Sequence, residues 1–385
     1  MPHAVSFFES ALGGRTMKVD RFVKMPPTAW IYPAGAALFY VVASALGFGM
    51  SLAPGATGTV LAVLLFPVLF GAIFAAVYHS EVIAHRTGEP YGTLMLTASV
   101  TIIEVALITS VMMLGDGSGT TLARDTVYAV VMTVCTGLAG LCIVVGGLRY
   151  REQSFRVPGA TAYLTVLMVL ATLTLVMPNY AQRVSGPSYS QLQLAVVALA
   201  TVTLYGAFLY IQTVRHRDYF IVPAKQSGGR FQPSRRQLIV SGALLLLALV
   251  VIVLLSKKFA VVVEIGRVAV GAPPQATGLV VAILILLPEG IAAVQAARNN
   301  ALQKALNLAL GSALATIGMT LPAVAIVSLH LGTPLALGLE PAGMVLLALT
   351  MLVSTLTFAT GRTHVLHGLV HLVIFAAFIL FSFQP

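Results

Sequence analysis

Two glutamates occupy positions where an acid is expensive. Glu104 lies alone among the apolar residues Leu94 to Leu114, and Glu289 sits in Leu286-Leu287-Pro288-Glu289-Gly290, followed by Ile291-Ala292-Ala293-Val294. An ionisable side chain at the centre of a membrane-crossing helix costs roughly 2.5–3.5 kcal/mol, and such residues usually face a cavity or an ion pathway. Each acid has another about one helix upstream, Glu81 before Glu104 and Glu264 before Glu289, at separations of 23 and 25 residues. Two carboxylates on one cavity neutralise one divalent cation, two protons, or one monovalent cation and one proton. Exclusion of one occupant by another is the chemistry of antiport. Pro288 lacks a backbone donor and crowds the preceding turn, so the helix is expected to kink or break beside Glu289 and free carbonyl oxygens for a hard cation. Hydroxyls at Thr97, Ser99, Thr101, Ser312 and Thr316 are further oxygen donors, with the competing reading that they bond back to their own helices. Glu81 reads equally as part of a solvated helix end, and Glu264 as an ion pair with Arg267 at i+3.

The elements that must position these acids follow from composition. Of 385 residues 58% are hydrophobic and 9% charged, against about 25% charged in soluble proteins. The fold class is an all-α polytopic membrane protein. Runs long enough to span lie at 30–50, 57–84, 91–114, 125–148, 158–177, 191–214, 237–266, 277–297, 305–330, 339–358 and 363–383, which makes eleven helices. With the N-terminus in the cytoplasm, every lysine and arginine except Arg124, Arg183, Lys257, Lys258 and Arg267 falls in a cytoplasmic segment. The net charge of +10 is therefore a topology signal whose partner is the lipid bilayer, not nucleic acid.

The expected organisation is a basic arm at 1–29, an extra first helix at 30–50, a first repeat of helices 2–6 at 57–214, a basic linker at 215–236, and a second repeat of helices 7–11 at 237–383. Five helices per repeat inverts the second relative to the first, with the site between them, as in many secondary transporters.

Other polar residues carry weaker signals. Cys135 and Cys142, seven apart on one helix face, read as buried free thiols. Asn299 and Asn300 read as a helix cap, and Asn307 as a candidate cavity-lining amide. His364, His367 and His371 share one face of the last helix; they could bind a transition metal or sense pH, or simply pack. No HExxH pair, phosphate-binding loop, dinucleotide fingerprint or nucleophile elbow occurs, which argues against an enzyme or an ATP-driven pump.

Three segments carry a resemblance. Gly88-Glu89-Pro90-Tyr91-Gly92-Thr93-Leu94 through Glu104, and Pro288-Glu289 through Asn307-Leu308-Ala309-Leu310-Gly311-Ser312-Ala313-Leu314, resemble the two alpha-repeats of the cation/proton exchangers of the calcium/cation antiporter superfamily. Gly146-Gly147-Leu148-Arg149-Tyr150-Arg151-Glu152-Gln153-Ser154-Phe155 looks like a further family segment, closest to the ChaA-type bacterial branch. The resemblance implies cation- and proton-binding roles for Glu104 and Glu289 with Ser312, and proton access by Glu81 and Glu264; Thr101, a hydroxyl one turn before Glu104, is a further candidate oxygen for the ion site on its residue type and place alone. It implies a bacterial inner-membrane antiporter of calcium, sodium or potassium against protons, working by alternating access with no cofactor beyond the transiently bound cation. The superfamily's Gly-Asn before each acid is replaced by Val100-Thr101 and Ile285-Leu286, and the linker is basic where calcium-selective members are often acidic. A sodium-potassium/proton antiporter with little calcium activity is the alternative, with a passive cation channel and a histidine-based intramembrane metalloenzyme behind it.

Overall fold

Apolar runs bounded by glycine, proline and charged residues can hide their backbone polar groups in a bilayer only by closing them inside helices. The computed structural model describes residues 25–48, 55–88, 91–113, 119–181, 186–220, 233–331 and 335–383. Among them eleven helices are long and apolar enough to cross a membrane, one at each expected position. These are α1 (Pro27–Ala45), α2 (Ala56–Thr87), α3 (Leu94–Met112), α4 (Thr121–Tyr150), α5 (Val157–Tyr180), α6 (Gln191–Arg215), α7 (Arg235–Ala269), α8 (Gln275–Arg298), α9 (Leu302–His330), α10 (Pro341–Ala359) and α11 (Val365–Phe383). The arm residues Arg15, Lys18, Arg21 and Lys24, the pair Glu89-Pro90, Arg183, and the linker's Pro223 and Gly228-Gly229 lie outside the described residues.

Local chemistry sets the helix ends. Proline opens α1 and α10, where its missing N–H costs nothing. A capping box opens α6: the Gln193 N–H donates to Ser190 Oγ at 3.4 Å and the Ser190 N–H to Gln193 Oε1 at 3.0 Å. Asn300, at φ +56°, makes the turn from α8 to α9.

The break expected at Pro288 is absent: α8 is one continuous helix from Gln275 to Arg298. Proline removes a single i→i−4 bond, too little to end a helix held on both sides. Irregularity appears elsewhere, as π-helical turns at Thr133–Leu138 in α4, Thr172–Val176 in α5, Ile211–Arg215 in α6 and Thr316–Thr320 in α9.

The chain packs as two compact units. The first comprises Met1–Ser110 and Pro223–Val262, hence α1, α2 and most of α3 and α7. Here the Tyr32 ring comes within 3.0 Å of where a Cβ on Gly71 would stand, so α1 and α2 meet at a position that favours glycine. His79 Nε2 lies 3.0 Å from the Ala29 carbonyl, and Ser110 Oγ lies 2.6 Å from Ser256 Oγ. Lys258 is buried in α7 but satisfied: its amino group donates to the Phe48 carbonyl and lies 5.4 Å from the Tyr40 ring centroid.

The second unit comprises Val111–Val222 and Val263–Pro385, with α4, the most buried span, packed against α8 and α11. α4 and α11 cross backbone to backbone: the Gly368 carbonyl lies 2.9 Å from a Cβ position on Gly140, and the Gly140 carbonyl 2.8 Å from one on Gly368. Two short strands, β1 (Glu152–Ser154) and β2 (Arg362–His364), pair antiparallel with Gln153 opposite Thr363. They tie the segment after α4 to the one before α11.

Candidate functional site

Each unit holds one of the two central acids. Glu104, in α3, is 1% exposed, with Ile103, Leu107 and Ile108 buried beside it in sequence. Thr101 is buried one turn earlier at i−3, on the same face as the carboxylate. Ser99 is a poorer candidate, since its hydroxyl donates to the Met95 carbonyl at 2.9 Å. Glu81 stands at an exposed position of α2.

Glu289, in α8, is half-buried between buried Pro288 and half-buried Gly290. The nearest atoms to a Cβ built on Gly290 are the Leu138 methyls at 3.8 and 4.0 Å, so the π-helical turn of α4 borders the turn that carries the acid. Ser312 is half-buried in α9, and Thr316, one turn on, is buried where the π-helical turn of α9 begins. Asn307 does not line a cavity with a spare amide. Its Nδ2 donates to the Phe220 carbonyl at 2.5 Å and its Oδ1 accepts from Gln303 Nε2 at 2.9 Å, so it fixes α9 in place. Glu264 forms the helix-end ion pair: Arg267 Nε donates to Glu264 Oε2 at 2.9 Å, Nη2 donates to Oε1, and Nη1 reaches the Ala272 carbonyl at 2.9 Å.

The cluster 146–155 clamps the helix of Glu289. The last carbonyls of any helix lack intrahelical partners. Here buried Gln153 donates through Nε2 to the Ala297 carbonyl at 2.9 Å and to Asn300 Oδ1 at 3.1 Å, and Tyr150 Oη donates to the Arg298 carbonyl at 3.0 Å. Gly146 makes room, since a Cβ there would overlap the Gln153 amide. Asn299 is the C-cap of α8.

Sequence reasoning missed one polar feature. Arg124, expected in the segment before the fourth span, lies with Asp125 inside α4; they are 6% and 7% exposed at its start, where Arg124 Nε donates to Asp125 Oδ1 at 2.7 Å and Arg124 Nη1 to the Gly338 carbonyl at 3.0 Å. With Tyr128, Gln275 and Glu340 they border a cavity of about 110 Å³. Adjacent opposite charges beside a glycine-rich loop give no sign of burial. His371, for which packing was one of the expected readings, is fully buried and bridges the Cys135 carbonyl of the α4 π-helical turn at 2.8 Å and Thr357 Oγ1 of α10 at 3.1 Å. Contrary to expectation His364 does not lie in the last helix but ends β2, its ring stacked on that of His367 in α11 at 4.1 Å, and no group of three or more His, Cys, Asp or Glu among the described residues is arranged to hold a metal. Both cysteines are free and buried.

The family model for sodium/calcium exchanger proteins matches residues 57–214 and 240–384, both halves of the chain and both acids. The chain belongs to the sodium/calcium exchanger family. It falls in the cation/proton branch, being 36% identical over 320 residues to the sodium-potassium/proton antiporter ChaA of Escherichia coli K12, which covers 82% of this chain and 86% of the relative. It is 45% identical over 366 residues, 95% of this chain and 98% of the other, to y4hA of Sinorhizobium fredii NGR234, whose name proposes an ionic transporter. Its fold is also that of YfkE, at a TM-score of 0.70 and 18% identity over 93% of this chain and 100% of that one. The exchanger CAX superposes at 0.67 and 13% identity over 92% and 89%. The exchanger family is one of secondary transporters, and the nearly all-helical fold of this chain, with eleven candidate spans among the described residues, matches the fold of these exchangers.

Proposed function

We infer that this cation/proton antiporter exchanges calcium, sodium or potassium for protons by alternating access, with Glu104 and Glu289 as the groups that hold cation and proton in turn. The observation that carries the reading is a carboxylate near the middle of α3 and another near the middle of α8, in helices otherwise apolar around them. An ionised acid in such surroundings is costly to hold, and a transported cation or a proton relieves that cost. Thr101 and Ser312 supply neutral oxygens. Glu81, exposed on α2, serves proton access, and Glu264 does so only if its pair with Arg267 opens. The work is transport rather than covalent chemistry. The distribution of lysine and arginine supports an N-terminus in the cytoplasm, and the bacterial relatives support a bacterial inner membrane.

A second reading, sodium and potassium with little calcium, draws on Val100-Thr101 and Ile285-Leu286, which lack amide oxygens, and on the name of the Escherichia coli relative. Inverted membrane vesicles with an acid lumen decide between them, with lumenal pH followed as each cation is added alone. Proton efflux on calcium supports the first reading, and efflux on sodium or potassium alone supports the second. No efflux with any of the three overturns both.

A further inference from the structure

In the second unit, α5 and α6 leave between them a groove of about 530 Å³. Val157, Ala162 and Val166 form one wall, and Leu204, Ala207 and Ile211 the other. Two threonines, Thr161 and Thr165, lie along it, and Thr165 Oγ1 is already spent on the Thr161 carbonyl at 2.8 Å. The lining carries no charge among the described residues, which suits a hydrocarbon chain.

One end of the groove is different. Arg156 immediately precedes Val157, Arg215 lies one turn beyond Ile211, and Arg217 follows; all three are exposed. The chain after α6 folds back onto the first turn of α5, where the Tyr219 carbonyl stands 2.5 Å from a Cβ position on Gly159 and His216 stacks on Tyr219 at 4.9 Å. That return places the arginines after α6 at the end where Arg156 enters α5. Arg149 and Arg151 are exposed on the preceding segment, and the acids among these residues are Glu152, paired with Arg362 at 3.9 Å, and Asp218.

We propose that this groove binds an anionic phospholipid of the bilayer, with an acyl chain between α5 and α6 and the phosphate on Arg156, Arg215 and Arg217. Guanidinium groups match phosphate oxygens bidentately, and basic pockets beside membrane helices recruit anionic headgroups. A zwitterionic lipid would fill the groove equally well but gains far less from three arginines at its mouth. The bound lipid braces α5 against α6, which Gln212 Nε2 and Tyr163 Oη already link at 2.5 Å. The site is separate from the two central acids and does not depend on which cation is carried.

The test is thermal unfolding of the purified full-length chain in uncharged detergent while phosphatidylglycerol is titrated. A saturable rise in Tm is expected with phosphatidylglycerol and none with phosphatidylcholine or glycerol 3-phosphate, the headgroup without its chains. The triple variant R156Q/R215Q/R217Q should weaken the apparent affinity at least about tenfold. The control R235Q/R236Q, at the start of α7, should match wild type. Ala207→Phe keeps every arginine and fills the groove, and it too should weaken binding. Unchanged affinity in the triple variant overturns the proposal, as does an equal loss in the control or an equal response to glycerol 3-phosphate. If the triple variant fails to fold, wild-type affinity in Ala207→Phe overturns it alone.

Discussion

The surroundings of Glu104 and of Glu289 are built on different plans. Glu104 is almost fully buried on α3, between buried Ile103 and other apolar neighbours, with Thr101 a turn away. Glu289 is half-buried, flanked by Pro288 and Gly290, on a helix whose last carbonyls are held from outside by Gln153 and Tyr150. The two acids share a spacing but not a setting: one is almost fully buried, the other half-buried on a helix anchored at its far end. Roles that a repeat would make equal are therefore expected to respond unequally to the same change.

Shortening each acid breaks the comparison most sharply. Glu104→Asp withdraws the carboxylate into packing that cannot follow, and misplacement of a reacting group by about 1 Å can cost roughly 10²-fold. Exchange in Glu104→Asp should fall at least about tenfold, and in Glu289→Asp by only about threefold, because Glu289 is only half-buried and less tightly enclosed. Equal losses in vesicle flux would show that the difference in packing has no functional weight.

Gln153→Ala tests the anchor on α8. It leaves the carbonyl of Ala297 and the side chain of Asn300 without this donor, at a cost of about 1–3 kcal/mol. The unfolding midpoint should drop and the cation KM rise. The control Ser110→Ala, in the first unit, removes only a hydroxyl pair with Ser256 and should leave KM unchanged. A Gln153→Ala protein with wild-type Tm and KM would remove the clamp from the account.

The smallest effect is expected at Glu264. Its pair with Arg267 is partly exposed at a helix end, where such pairs contribute about 0–1 kcal/mol. Glu264→Gln should keep exchange within about twofold of wild type at every pH tested. A displaced pH profile would instead assign Glu264 to the proton path.

The spans were legible because hydropathy over some twenty residues and the siting of lysine and arginine are strong, local signals. The acids stood out for the same reason, as lone charges inside those spans. What stayed hidden depends on packing between distant segments. Gln153 looked like part of a polar loop until the ribbon of β1 and β2 brought it under the end of α8. The burial of Arg124 and Asp125 rests on Thr121 and on the Gly338 carbonyl, which the sequence does not bring beside them. Of the kink or break expected at Pro288 the break does not occur, since the rule that proline breaks helices weakens where the helix is held on both sides. The π-helical turns have no compositional signature beyond their threonines and glycines, although such turns often mark functional places.

The measurement that bears most directly on the central claim is proton efflux from acid-lumen inverted vesicles carrying wild type, Glu104→Gln or Glu289→Gln, at matched amounts of folded protein. Glutamine keeps the shape and removes the charge, and losing one partner of a buried charged set costs about 3–5 kcal/mol. Each variant should fall about a hundredfold or more, to background, for every cation that wild type carries. Cation-driven proton efflux persisting in both variants would contradict the assignment of exchange to these two acids.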